Sequence, residues 1–582
     1  MKNNPVRICS ASGIVFFCLT SVAPAQQFGS TYATPASATT DQNIPSATAS
    51  QPQNLTSVAP APQFGGAYVT PVFTNTNQNI PGTTASQLRR YGESRSQQDP
   101  PAIPARSWSV VPRVRWTETL TDNVNLSAQK EGDLVSTLAP GVRINANTAR
   151  LNMVLDYDLV GYAYARNSDY NNFQNYLNTF GTLEAIDNWF FVDFSGYVSQ
   201  QMISPFGTQS VSNANINANR AQTQTYQVSP YIRGQLGGDI AEYFLRYNAT
   251  TTRTSNGSVS DVDISQWIGQ VRGGTPFQNL AWTIDGSQQN TDYSLGRDYD
   301  DERVRAILTY RLFPQLRISG SGGQESNNYI TINNESYSTY GYGLDWRPTD
   351  RTIVAGFQEK RFFGWGHNVN ISHRFPLTGI QYTDVQDVAF LSSGYTPPGQ
   401  GTVYDQYDAL LANQYPDPVA RAAYINNLLN QAGIAPNSQA VYGYLNNRPQ
   451  VRRTQQLSLV LYGARNSITF RGTRITDETL WVAGGIDDPT NPFSKVIQTG
   501  YSAILAHRLT PLTSLNVGAL YQKTDAPSNT ALNNDLTMFQ VGVSSRLGAR
   551  TVGTINARRS VYSSESNPYN ENALSASLIF SF

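Results

Sequence analysis

Cysteine is almost missing from this chain: of 582 residues only Cys9 and Cys18 carry a thiol. Both fall within residues 1–25, where Lys2 and Arg7 precede the apolar run "ASGIVFFCLTSVA" and the small residues "APA" precede Gln26. That is the pattern of a cleaved secretory signal. A chain trimmed there has no disulfide, no thiolate metal site and no cysteine nucleophile. Histidine is nearly as scarce, with three in the chain. His373 and His507 each precede an arginine at a tight turn, where an interfacial imidazole needs no further role, and His367 sits in the aromatic bend "FFGWGHN". No GxSxG element accompanies them, so nothing points to a serine hydrolase, and no catalytic residue or cofactor is expected.

Charge is sparse and balanced, at 14% of residues with 41 basic and 41 acidic side chains. No field of one sign is available to attract nucleic acid. Long apolar runs are missing too: after the signal, none approaches the roughly 18 residues of a spanning helix. The acidic clusters at 298–302 and 487–488 read as solvated loop charge rather than as calcium sites.

What the chain has instead is 33 tyrosines, 24 phenylalanines, 44 glycines and many amides, with hydrophobic residues at only 39%. Such a composition suits strands that are half apolar and half polar. Residues 26–106 have neither a strand period nor a helix period, and are expected to be disordered. A tandem duplication runs through them, its first copy beginning inside the signal: "TSVAPAQQFGS" recurs as "TSVAPAPQFGG" and "QNIPSATASQ" as "QNIPGTTASQ", at a constant offset of 36.

From 107 to 582 the pattern changes to alternation. Leu151, Met153, Leu155, Tyr157 and Leu159 oppose Asn152, Asp156 and Asp158; Val304, Ala306, Leu308, Tyr310 and Leu312 oppose Arg303, Arg305, Thr309 and Arg311. Tight connections such as "RLFPQL" and "HRLTPLT" alternate strictly with longer polar ones such as "SPFGTQSVSNANINANRAQ". Short turns at one end and long loops at the other describe a transmembrane antiparallel up-and-down β-barrel of about 22 strands, within a range of roughly 16 to 24, in the outer membrane of a Gram-negative bacterium. One connection departs from this pattern. Residues 387–448 include "DPVARAAYINNLLNQAGI", with Asp417 and Pro418 starting a helix, Ala422, Ile425, Leu428 and Leu429 on one face and Gly433 ending it. This helical insertion is either an outer lid or a plug, and it is the expected constriction of an otherwise wide lumen.

The final strand, "ALSASLIFSF", places Leu574, Ala576, Leu578, Phe580 and Phe582 on one face. It resembles the signal by which outer-membrane barrels are recognised for insertion, which implies barrel-assembly machinery and outer-membrane lipid as partners. "ETLTDNVNLS", "DLVSTLAPGVRI", "QQMISPFG", "YPDPVARAAYINNLLNQAGI" and "HRLTPLTSL" together resemble the outer-membrane proteins associated with PEP-CTERM/exosortase systems, a branch of β-barrel porins. The resemblance implies a non-enzymatic, porin-like role beside exopolysaccharide production or export, with polysaccharide or export components as further partners. It brings no established binding residues. A general diffusion porin and a structural or adhesive barrel without transport remain open as alternatives. The residues themselves offer a lumen lining of Arg143, Asp156, Asp158, Arg303, Arg305 and Arg311. If the terminal aromatic is the insertion signal, Phe582→Asp should reduce the heat-modifiable, membrane-embedded fraction; an unchanged yield in the outer membrane would contradict that role.

Overall fold

A computed structural model describes residues 108–390, 443–445, 448–480 and 494–582, apart from 238, 239, 256, 258, 278 and 464. The expected signal, the duplicated segment and nearly all of the insertion at 387–448 lie outside the described residues. The first strands are β1 (Trp108–Thr121), β2 (Asp133–Asn147), β3 (Leu151–Tyr164), β4 (Asn172–Ile186), β5 (Phe190–Met202), β6 (Arg220–Leu236), β7 (Ala241–Thr254) and β8 (Val262–Gly274). They continue with β9 (Leu280–Tyr293), β10 (Tyr299–Phe313), β11 (Leu316–Asn327), β12 (Glu335–Thr349), β13 (Thr352–Arg361), β14 (Gly364–Arg374) and β15 (Thr378–Ala389). The last are β16 (Gln450–Tyr462), β17 (Asn466–Thr479), β18 (Lys495–Arg508), β19 (Thr513–Asp525), β20 (Asn534–Arg546), β21 (Thr551–Ser563) and β22 (Tyr569–Ser581). Strand β15 takes the first three residues of the expected insertion into the wall.

All 22 strands form one sheet in which each pairs antiparallel with its sequence neighbours. The sheet closes because β1 also pairs with β22, from Arg113 opposite Ser581 to Thr121 opposite Ala573. The amide of Phe582 donates to the Pro112 carbonyl at 2.9 Å, so even the terminal residue is tied to the first strand. Closure leaves no row of unpaired backbone groups, the one arrangement of strands that hydrocarbon tolerates.

Alternation sorts the two faces. Along β10, Asp301, Arg303, Arg305, Ile307 and Thr309 are buried, whereas Glu302, Val304, Ala306, Leu308 and Tyr310 are exposed. The exposed side is the outside of the barrel, and it carries most of the large apolar side chains: Trp116, Leu138, Leu308, Tyr342, Ile371, Phe539, Ile555 and Leu574 are all exposed there. Of the assembly-signal residues, Leu574 and Phe580 are exposed, and Ala576 and Leu578 share their face. The sequence parity therefore holds on this strand.

Connections alternate as well, apart from the equal links on either side of β9 and one sharper exception. The link between β13 and β14 lies at the long-loop end but is only Phe362 and Phe363, closed by Gly364 at φ +114. The aromatic side chains explain the brevity. Phe362 stacks on Tyr329 with centroids 5.2 Å apart and meets Phe363 edge-on, so the bend is anchored by packing rather than extended into solvent. Among the described residues there is no α-helix, only two single turns of 3₁₀ helix at Ser168–Tyr170 and Thr530–Leu532.

The closing seam can be tested by chemistry, because cysteine is absent after residue 18. Thr119 and Ser575 stand directly opposite each other on β1 and β22, within the separation a disulfide spans. Thr119→Cys with Ser575→Cys should cross-link on mild oxidation and change gel mobility under non-reducing conditions. Leu120→Cys with Ser575→Cys, which point to opposite faces, should not. Equal cross-linking of both pairs would contradict the register.

Candidate functional site

Among the described residues two clusters of charge stand out in the lumen, beside separate pairs such as Arg246 with Asp193 and Arg558 with Glu571. The first lies on β1 to β3, in the part of the wall nearer the short turns. Arg143 faces Asp156 across β2 and β3, and its Nε donates to Asp156 Oδ2 at 2.9 Å. Arg113 on β1 donates from Nε to Asp158 Oδ1 at 3.0 Å and from Nη2 to Asp158 Oδ2 at 2.8 Å, while Nη1 and Nη2 reach Asp156. Arg115 stands 3.5 Å from Asp158. Arg113 crosses β2 at Gly141, where a Cβ would lie 1.9 Å from Asp158 Oδ1. Only glycine leaves room for that carboxylate. These side chains remain partly accessible, so this ladder lines open space.

The second arrangement, on β9 to β15, is closed. Arg305 donates from Nε to Asp285 Oδ1 at 3.1 Å and reaches Glu359 Oε2 at 3.3 Å. Arg361 bonds Glu325 at 2.8 Å and Asp387 at 2.6 Å, and Arg303 lies 3.7 Å from Glu359. Side chains of Arg305, Glu359 and Glu325 are fully buried. To reach Glu359 on β13, Arg305 passes β11 at Gly323, where a Cβ would collide with the Val304 carbonyl at 2.3 Å. The missing side chain lets neighbouring backbones crowd together and lets one guanidinium span three strands.

The expected lining residues thus divide. Arg143, Asp156 and Asp158 meet in the open ladder, and Arg303 and Arg305 in the closed network. Arg311 joins neither: it sits at the turn end, where Nη2 donates to Asn279 Oδ1 at 3.2 Å. Arg113, Arg115, Asp285, Glu325, Glu359, Arg361 and Asp387 went unnamed by the sequence reading. The signal was present in "PRVRW" and "QEKR", where charges take one parity against apolar neighbours.

The long-loop end is narrowed by the chain itself. Residues 203–219, which read as a solvated outer loop, fold into the mouth and bind strands five to seven places away around the ring. Gln209, fully buried, donates to Asn534 Oδ1 at 2.8 Å, and Asn534 donates back to the Pro205 carbonyl at 3.2 Å. Tyr562 and Tyr569 donate to the carbonyls of Gly207 at 3.0 Å and Gln209 at 2.6 Å. Asn215 donates to Glu571 at 2.7 Å, and the Ile216 amide to the Val124 carbonyl at 2.9 Å. One loop leaving β5 is thereby fastened to β20, β21, β22 and the loop after β1.

A second bridge crosses the middle. The Leu445 amide donates to the Met202 carbonyl at 2.8 Å at the end of β5, and Tyr444 donates its hydroxyl to Asp477 Oδ2 on β17 at 2.7 Å. Burial, and then the Asp477 carboxylate, push the Tyr444 phenol well above its ordinary pKa, so it stays a donor. Strands β5 and β17 lie nearly opposite in the ring. A circular ring of 22 strands spaced about 4.8 Å apart and tilted about 40° would be roughly 40 Å across, so walls joined through one tyrosine are drawn together there. A third plug, of Tyr293, Tyr329 and Phe390, packs with Val262 and Ile264, and Tyr293 donates to the Phe390 carbonyl at 2.9 Å. The insertion at 387–448 was the expected constriction; its described residues Phe390, Tyr444 and Leu445 make the second and third of these contacts, and the loop 203–219, which was not expected to, makes the first.

His373 and His507 occupy turn-end positions, bonding Thr352 at 2.8 Å and Asn466 at 2.5 Å. His367 faces outward and pairs with Asp384 at 2.9 Å. Among the described residues no group of three or more His, Cys, Asp or Glu is arranged to hold a metal ion.

No protein-family model matches the chain, and no curated protein matches it. Among solved structures it is similar to the siderophore receptor PirA from Acinetobacter baumannii, at 9% identity over 81% of this chain and 80% of that one, with a TM-score of 0.44. A mutant of the ferric enterobactin receptor PfeA from Pseudomonas aeruginosa follows at 10% identity, 81% and 80% coverage and a TM-score of 0.43. OprD from Pseudomonas aeruginosa matches at 8% identity, 82% and 95% coverage and a TM-score of 0.30.

Removing one member of the closed network leaves a buried charge unpaired, which typically costs about 3–5 kcal/mol. Glu359→Leu should therefore lower the denaturant midpoint of the folded barrel strongly, whereas Asp156→Asn in the accessible ladder should change it little. Equal effects of the two substitutions would show that the network on β9 to β15 is no more buried than the ladder.

Proposed function

We propose that the protein is an outer-membrane channel of porin-like architecture that passes polar solutes through a lumen narrowed at its outer mouth. The apolar outer face of a closed sheet supports the membrane location, since such a surface is stable only against hydrocarbon. Alternating connection lengths orient it, with the short-turn end and both ends of the barrel sequence on the periplasmic side. The observation that carries the channel reading is the loop 203–219, tied across the mouth by Gln209, Asn215 and the carbonyls accepting from Tyr562 and Tyr569. A barrel that served only as a wall or adhesin gains nothing from a fastened internal constriction.

The lining bears on selectivity. Its arginines and carboxylates neutralise one another, so passage is governed by size and hydrogen-bonding capacity more than by charge sign. The amides, hydroxyls and tyrosines at the mouth suit saccharides, which present many hydroxyls and apolar ring faces. That chemistry agrees with a place in an exopolysaccharide system, as conduit or assembly component, the role implied by the resemblance of segments such as "QQMISPFG" and "HRLTPLTSL" to the PEP-CTERM/exosortase-associated proteins. In this reading the protein is not an enzyme, and Leu574 through Phe582 address it to the barrel-assembly machinery.

Replacing residues 204–218 by a short Gly-Ser bridge should raise single-channel conductance severalfold in planar bilayers and sensitise cells to bulky antibiotics. Added surface polymer should block the wild-type current more than the current of the deletion. Unchanged conductance with a folded barrel would overturn the constriction, and indifference to the polymer would favour a general diffusion porin.

A further inference from the structure

The outer wall has a hollow at the closing seam. Val541, Ala557, Leu574 and Leu120 stand in one row across β20, β21, β22 and β1, all pointing outward. Ala557 is the small member of that row. Its methyl, with Phe539 and Leu574 rising beside it, leaves an outward-facing groove of about 640 Å³. Ala557 lies six residues above Thr551 at the turn end, roughly 15 Å up a tilted strand and inside an apolar belt about 25 Å tall. Anything seated there meets hydrocarbon on its open side.

The rim one row higher is different. It consists of Arg559, paired with Asn572 on β22, and Asp122 in the loop beyond β1. Arg559 is exposed, and its Nη1 donates to Asn572 Oδ1 at 3.2 Å; it has no carboxylate partner among the described residues. Asp122 is already occupied, by Lys130 Nζ at 2.7 Å and by the Asn572 amide at 2.7 Å. The rim therefore carries a net positive charge at the upper edge of the belt. An apolar slot within the belt, with a guanidinium at its mouth that no described carboxylate neutralises, is complementary to an amphiphile with an anionic head.

We propose that this groove seats one acyl chain of a phosphorylated glycolipid from the outer leaflet, with its phosphate on Arg559. The assignment rests on the outer-membrane reading above, because the groove opens toward the long-loop end. Bound there, the lipid covers the β1 and β22 junction, the only junction in the ring made by strands distant in sequence. Its chain fills the hollow beside Ala557, and its head rests on the rim of β21.

The test is lipid retention by the purified full chain in mild detergent, measured by native mass spectrometry after incubation with lipid A or with phosphatidylcholine. Wild type should retain lipid A in preference to phosphatidylcholine. Ala557→Phe, which fills the slot, should reduce retention of lipid A roughly tenfold in apparent affinity. Arg559→Gln should weaken lipid A without affecting phosphatidylcholine, and it needs no change in the apolar wall, so it decides the matter if Ala557→Phe fails to give heat-modifiable protein. Absence of retained lipid A on wild type, equal retention of both lipids, or indifference to either folded variant would overturn the site. Conductance of the wild type separately tests the channel reading, so the two failures are distinguishable.

Discussion

Everything in this molecule depends on the hydrogen-bonded pairing of its first strand with its last. Until β1 meets β22, the sheet has two edges of unpaired backbone groups, and in hydrocarbon each such group costs several kcal/mol. Once the register from Arg113 opposite Ser581 to Thr121 opposite Ala573 is made, every strand has two neighbours and parity becomes absolute. Most large apolar side chains then take the outside and most charged ones the inside, with exceptions such as Ile307 within and His367 with Asp384 without. The terminal phenylalanine follows from the same constraint, since the last residue still has a partner in Pro112.

Closure alone would give a wide, leaky cylinder. Three features work against that outcome, and they act on different parts of the ring. On β9 to β15, buried arginine and carboxylate side chains draw strands together over Gly323, turning one flank of the lumen into a packed polar core. Residues 203–219 fill the sector before β19 to β22. Tyr444 joins β5 to β17 across the middle. The open ladder of Arg113, Arg143, Asp156 and Asp158 lies below these contacts, in a part of the lumen that remains accessible. In the proposed channel, solutes would meet a narrow, hydrogen-bonding mouth before a charged but neutralised interior.

Much of this was legible in the residues. The alternation of "RLNMVLDYDL" and "ERVRAILTYRLF" placed Leu155 and Val304 outside and Asp156 and Arg305 inside, and the count of about 22 strands came from the turns between such runs. Periodicity reports the face of a strand but not the neighbour, so it could place Arg305 in the lumen without revealing Glu359, three strands away. Loop composition was less informative still. A run of Ser, Asn and Gln is equally suited to water and to a polar lumen, which is why 203–219 read as an outer loop. The aromatic bend "FFGWGHN" was legible as a bend, but not that it closes in two residues at the long-loop end, because that brevity depends on Tyr329, a long-range contact. The helix expected within 387–448 falls outside the described residues.

The narrowing of the mouth is the claim on which the channel account stands or falls, and one distance tests it. Spin labels at Gln200→Cys on β5 and Thr476→Cys on β17, both outward and near the loop end, report the span between nearly opposite walls by pulsed dipolar spectroscopy. Drawn together through Tyr444, the walls should give a distribution centred roughly 20 Å shorter than a circular ring of 22 strands requires. A distribution at the circular value in the folded, membrane-embedded protein would contradict the bridge through Tyr444, and with it the claim that opposite walls are drawn together at the mouth.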